Sequence, residues 1–427
     1  MKKRLIGLFL GALLLAGCLT GCKSGSETGN TGESITLLNS KGEIQSALEQ
    51  VAKEYGQKTG VKIEIIACPA GTSPFQTISA NYNAGVPPTM AMLDTTDIDA
   101  LGPEKALDLT GENWVADAGD LAYHIGGKVY SFPTGAESKG LIYNKTAIEQ
   151  TLGQPFDPSQ YNTLAKLESL FQALAAKGMD SPVVLSKEDW SLGAHYAGQI
   201  YEAQSQEPSQ VNAFIAALKK GEVKLADNSR FNQVMDAFDL LRKYNINKAD
   251  PLGADYAVDP NFLAEGESAF WFNGNWAWPN ISEFADEDTE FGLMALPLNN
   301  DANDDVNTTL IGIGTKQIMV DKVKSTPSQQ QAAKDFLNWL AFDSDGQKAM
   351  VEQLSFVPVF KSNKLLPADG LGISIKGYLD ADKTVFGPIL PADHWAAVGA
   401  SMQNYLAGKS TRGQLAADIE NYWKGKA

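Results

Sequence analysis

Three features of the sequence predict an α/β protein of two domains. The chain opens on a strand–helix–strand pattern over residues 34–69, the start of an α/β layer. Roughly 400 residues follow the N-terminal leader, more than one hydrophobic core comfortably organises. Capped amphipathic helices then alternate with short apolar runs to the end of the chain.

The leader comes first. "MKKR" is a cationic start, and "LIGLFLGALLLAG" is an apolar stretch too short to span a bilayer stably. It runs into "LAGC" and "LTGC", which resemble a bacterial lipoprotein signal. Residues 1–21 are expected to be removed and Cys22 to carry the lipid, with Cys18 as the alternative. An ordinary secretory signal with incidental cysteines is the plainer reading. The polar run over residues 22–33 reads as a flexible tether. No other stretch approaches eighteen apolar residues. The mature chain is therefore expected to meet the membrane through its lipid alone.

The formal charge is −16, and loss of Lys2, Lys3 and Arg4 makes it more negative. Nucleic acid and anionic lipid surfaces need a basic face, so neither is an expected partner. Cys68 would be the one internal thiol and reads as a small buried residue. With three histidines, no HExxH and no CxxC, neither a metal site nor a cofactor is expected.

"SITLLNS" predicts a first strand. In the following segment Ile44, Ala47, Leu48, Val51 and Tyr55 recur at helical spacing, and Gly60 is the stop. Val61, Ile63 and Ile65 alternate as in a strand. "TMAMLDTTD" predicts a third, buried strand running into an acidic loop. "GKVYSFPTG" suggests a strand pair, and "GLIYNKTAI" a strand entering a helix. "TLAKLESLFQALAAKG" is an amphipathic helix, with Thr163 as cap and Gly178 as stop. "SRFNQVMDAFDLLRKYN" and "AAKDFLNWLAFDSDGQKAMVEQL" supply further helices.

The stretch "NGNWAWPN" (273–280) does not fit this pattern. It puts two of 8 tryptophans among amides in a turn-like segment. Indole faces beside amide donors and acceptors suit a ligand with apolar faces and hydroxyl edges, as a sugar has.

Three stretches together, "GKVYSFPTGAESKGLIYNKTAI", "FLAEGESAFWFNGNWAWPNI" and "AAKDFLNWLAFDSDGQKAMVEQLSFVPVF", resemble the extracellular solute-binding proteins of carbohydrate ABC importers, of the maltodextrin-binding type. The likeness covers nearly the whole mature chain. It implies two α/β lobes joined by a hinge, with residues 34–136 and 312–355 in lobe one and 138–310 and 356–427 in lobe two. A monomer would hold an oligosaccharide in the interlobe cleft, and closure would signal the permease's transmembrane subunits.

The resemblance also assigns residues. Trp276 matches a tryptophan that stacks on a sugar ring, and Trp395 a second stacking aromatic. Asp393 and His394 beside Trp395 could bridge hydroxyls. Glu137 falls at a carboxylate that accepts from sugar hydroxyls, and Glu188 and Trp190 at a ligand-touching glutamate and aromatic. Asn275 joins them as a polar group. Lys41 has a family counterpart and sits after the first strand, where ligands gather in such sheets. Asp94 stands near a family aromatic that is missing here, so a different sugar is implied. His195 reads as structural, and so do Trp271 and Trp278; alternation sends one of Phe270 and Trp271 inward.

The main rival is a secreted glycoside hydrolase, in which Glu137 and Glu188 would be the carboxylate pair. A receptor of the same fold for a polyamine, peptide or metal is a third reading. The sugar is not specified: α-galactosides of the raffinose type, α-glucosides and plant β-linked oligosaccharides all fit. Contributions from Trp190, Trp276 and Trp395 predict at least two sugar rings.

Overall fold

The computed structural model describes residues 32–69, 72–314 and 316–426. The leader, the lipid-site cysteines and nearly all of the tether lie outside the described residues.

The first sheet carries five strands in the order Lys62–Ala67, Ser34–Asn39, Met90–Leu93, Gln317–Val320, Ser131–Pro133. The first three are parallel, and Gln317–Val320 runs antiparallel to both of its neighbours. The second sheet orders Phe291–Met294, Lys139–Asn144, Phe270–Gly274 and Val183–Val184. Each sheet is covered by helices, giving two α/β lobes. A strand from late in the chain, Gln317–Val320, lies inside the first sheet, so the chain visits lobe one, crosses to lobe two and returns.

Local signals explain most elements. The helix Gln45–Thr59 buries Leu48, Val51, Ala52 and Tyr55 and ends at Gly60, whose φ of 76° only glycine adopts cheaply. Thr163 caps the helix Leu164–Ala176 by accepting from the Lys166 N–H, and Leu167, Leu170, Phe171 and Leu174 are buried. Thr326 and Gln329 form a reciprocal capping box ahead of the helix Pro327–Phe342.

Three expectations change. The strand Met90–Leu93 is fully buried, but Asp94 opens a helix, Thr95–Lys105, in place of an acidic loop. The segment "GKVYSFPTG" divides. Lys128–Val129 closes a hairpin with His124–Ile125 over two glycines of positive φ, while Ser131–Pro133 joins the first sheet. Phe270 and Trp271 are both buried, because their strand is covered on both faces.

Between the lobes, residues 134–137 bond to Lys316, Val357 and Gly314. The Ala136 N–H donates to Val357 O at 2.9 Å, and Glu137 and Gly314 exchange bonds of 2.8 and 2.9 Å. The segment from Phe356, expected in lobe two, stays on lobe one for a few residues. Phe360 packs on Phe132 at 5.0 Å, and the Lys361 N–H donates to Asp117 O at 3.1 Å. Under the hinge lies a buried ion pair, Lys139 with Glu202, at 2.8 Å. Gly312 crosses directly over it. A Cβ there would sit 2.1 Å from the Lys139 Nζ and 2.4 Å from a Glu202 oxygen.

Candidate functional site

The cleft between the lobes has two unlike walls. Lobe two supplies aromatic rings. Trp276 follows the strand Phe270–Gly274, and its six-membered ring lies over Gly274, where a Cβ would come within 2.1 Å of the indole. The His195 ring lies 4.5 Å from Trp276 and 5.3 Å from Trp190, and Trp190 meets Tyr256 at 5.0 Å. These rings are tied to the core beneath them. Asn273 Nδ2 donates to the Tyr256 hydroxyl at 3.2 Å, and Tyr256 packs on buried Trp271 at 5.5 Å.

Lobe one and the hinge supply paired charges. Lys41 Nζ lies 2.6 Å from Glu137 and 2.7 Å from Glu43. Burial works against the ammonium, but these two carboxylates outweigh it and hold the Lys41 pKa above its ordinary value. Lys316 Nζ lies 2.7 Å from Asp94. Burial pushes the Asp94 carboxyl up, and Lys316, with smaller help from His195 and Lys41, more than reverses it. Asp94 on lobe one thus acts electrostatically on His195 of lobe two, across the cleft. Tyr256 likewise feels Glu43 and Lys41, and the helix Trp278–Ser282 packs against the turn Gly42–Ile44. The lobes are in contact.

Three polar atoms here are buried without a hydrogen-bond partner among the described residues: Ser40 Oγ, Glu188 Oε2 and His195 Nδ1. Leaving such groups unpaired costs about 1–3 kcal/mol each. Burial raises the Glu188 pKa. Below it, the Trp271 indole donates to Ser186 at 2.9 Å, and Ser186 donates to Asp259 at 2.6 Å.

Asp259 gives a stability prediction. Burial is the main cause that pushes its pKa up to about 7. Between the unfolded value and about 7 the folded state keeps a proton that the unfolded state releases, so stability falls as pH rises through that window. Asp259→Asn cannot ionise. Thermal denaturation is expected to show the variant gaining on the wild type from pH 5 to pH 8 by about 3 kcal/mol, because roughly two pH units separate pH 5 from the folded pKa at ~1.4 kcal/mol per unit. A constant difference across that range would contradict the assignment.

The structure brings together Lys41, Asp94, Glu137, Glu188, Trp190 and Trp276. Trp395 lies in the first turn of the helix His394–Leu406, which packs against Ser191–Tyr196 beside the aromatic wall. Three predicted contacts have other partners. Asn275 has its oxygen on the Ser138 N–H at 3.0 Å and its amide on Ala136 O at 3.2 Å, stapling the hinge. His394 is 1% exposed, with Nε2 2.8 Å from the Tyr201 hydroxyl. Asp393 is exposed and accepts from Tyr422 at 2.9 Å and Lys426 at 2.5 Å. The same helix turn carries these two neighbours into the core and onto the outer surface.

His195, Tyr256, Glu43 and Lys316 are cleft residues that the sequence does not reveal. None lies in a motif; His195 stands one helical turn from the Glu188–Trp190 segment, and only packing distinguishes it from a structural histidine.

A family model described as bacterial extracellular solute-binding protein matches residues 50–369. The multiple sugar-binding protein of Streptococcus mutans is 22% identical over 423 residues, covering 95% of this chain and 93% of that protein. Among solved structures, the solute-binding protein RafE in complex with raffinose superposes with a TM-score of 0.76 at 17% identity, covering 92% of this chain and 99% of RafE. A Bacillus licheniformis sugar transporter in complex with stachyose gives 0.69 at 18% identity, covering 92% and 100%.

Proposed function

Because the chain belongs to the bacterial extracellular solute-binding proteins, we propose that it captures an oligosaccharide between its lobes and presents it to the permease of an ABC importer. One observation carries the reading: an indole wall on lobe two faces matched ion pairs on lobe one. A pyranose offers an apolar face to the first and hydroxyls to the second. Covering about 80 Å² of C–H surface at ~25 cal/mol/Å² contributes roughly 2 kcal/mol per stacked ring. Carboxylates already held by lysines can still accept from hydroxyls through their remaining lone pairs. The relatives named for sugars, one bound to raffinose and one to stachyose, support this ligand class.

The protein is a binding protein and not an enzyme, as its family is. In the hydrolase reading Glu137 would be one of the two reacting carboxylates. Its Oε1 is instead held by Lys41 at 2.6 Å, which suits a positioned acceptor.

Trp190 and Trp276, with Trp395 on the adjoining helix, are expected to serve more than one ring. The experiment is isothermal calorimetry of the signal-free protein with raffinose, stachyose, maltotriose and cellotriose, and with their monosaccharides. At least one oligosaccharide is expected to bind tenfold or more tightly than its components. A monosaccharide that matches every oligosaccharide would return one tryptophan to a packing role.

Ligand contacts on both lobes give the closed form the higher affinity, so ligand shifts the population toward it. Small-angle scattering is expected to show a smaller radius of gyration at saturation; identical curves would contradict the hinge. The chain acts as a monomer, lipid-anchored at Cys22 outside the cell, with Cys18 as the other candidate. Mass spectrometry of the mature N-terminus is expected to find a diacylated cysteine there, and an unmodified downstream start would refute the anchor.

A further inference from the structure

We propose that His195 is the positioning residue of the aromatic wall: its neutral ring is wedged between Trp190 and Trp276 and holds both indoles at the spacing that receives neighbouring sugar rings. This rests on the sugar-binding reading of the cleft. The geometry is direct. The imidazole is 4.5 Å from Trp276, tilted by 48°, and 5.3 Å from Trp190, at 71°. It touches both tryptophans, which come from separate parts of the chain.

The backbone that carries His195 is unusual. Ser191–Tyr196 forms a π turn, whose extra residue rotates the side chains that follow. It lies where two helical backbones approach closely. A Cβ on Gly193 would sit 2.1 Å from Trp395 O and 2.6 Å from Gly399 N, and one on Gly399 would sit 2.4 Å from Asp189 O. Two facing glycines thus clamp the turn against the helix His394–Leu406. The wedge is held from behind, so its position does not depend on the ligand.

The surroundings keep the wedge uncharged. Burial is the largest influence, and the Lys139, Lys316 and Lys41 ammonium groups add to it, against the single opposing effect of Asp94. Lys139 faces the ring from the second sheet with Glu202 as its partner, while Lys316 with Asp94 and Lys41 with Glu137 and Glu43 face it from lobe one and the hinge. Together they push the imidazole down to about 3. A neutral ring packs on an indole without an ion to desolvate, and its Nδ1 remains unpartnered. The His195 ring therefore stays uncharged from pH 8 to pH 5.

The test uses His195→Ala and His195→Phe, with Trp276→Ala as the reference for the cleft. In the ligand-free protein, the tryptophan emission of His195→Ala is expected to move to longer wavelength as both indoles gain water, while His195→Phe keeps the wild-type spectrum. In calorimetry with raffinose and stachyose, His195→Ala is expected to lose tenfold or more in affinity. His195→Phe should recover to within about threefold. An unchanged emission spectrum in His195→Ala overturns the wedge. So does wild-type affinity in His195→Ala when Trp276→Ala has lost binding. Wild-type affinity in Trp276→Ala itself would instead refute the cleft reading. Loss of binding in both His195 variants overturns the neutral-wedge role in favour of a specific polar contact.

Discussion

Trp276→Ala is expected to weaken oligosaccharide binding by about 2–4 kcal/mol, the range of an aromatic anchor in a desolvated site, or roughly 30- to 1,000-fold in Kd. The indole is half-buried, its six-membered ring laid over the Gly274 backbone and one edge of its environment formed by His195. Truncation removes the stacking face and frees the neighbouring imidazole, so the loss exceeds the transfer energy of the sugar face alone. Folding should survive, because the strand Phe270–Gly274 is held by buried Phe270, Trp271 and Phe272, which the substitution leaves in place. Calorimetry checks the affinity and circular dichroism the fold. Unchanged affinity, or a variant that does not fold, would show that Trp276 is a packing residue.

Lys139→Met should cost roughly 3–5 kcal/mol of stability, the usual penalty for removing one partner of a buried pair. The Lys139 and Glu202 side chains are each 6% exposed, and Gly312 lies directly over them. Without the ammonium, the buried Glu202 carboxylate loses the cation that compensates its charge. The companion double variant Lys139→Met/Glu202→Leu removes both charges and is expected to regain most of the loss. Urea denaturation of the three proteins reads the difference. If the single and double variants are equally destabilised, the cost lies in packing and not in the stranded carboxylate. The pair sits beside the crossing strands, so the single variant is also expected to loosen the hinge.

Much of this architecture is legible from local pattern. The periodicity of Leu48, Val51 and Tyr55, the cap at Thr163 and the stop at Gly60 each depend on neighbours within a turn or two, and the structure has all three. The likeness of three ordered motifs to a family supplied the two lobes. At the site the same logic picks out Lys41, which follows a strand, and Trp276, which stands out in a turn of amides, and the structure places both at the cleft. It did not extend to Asn275, Asp393 and His394. Each is a polar residue beside a tryptophan, and sequence adjacency says nothing about which way a side chain leaves a helix or a hinge strand.

By itself the sequence determined the compositional class, much of the order of helices and strands and the stacking candidates, because these follow from charge, periodicity and short-range backbone preference. Only the tertiary structure decided which charges meet. Lys41 and Glu137 are separated by 96 positions, Lys139 and Glu202 by 63, and His195 and Trp276 come from different elements of lobe two. The physical reason is that an ion pair or a ring contact is chosen by where two backbones come to rest. For His195 that depends on two glycines, Gly193 and Gly399, whose missing side chains let one helix settle against another. A glycine in a sequence marks freedom of many kinds. Which backbone takes up the space is settled when the lobes fold.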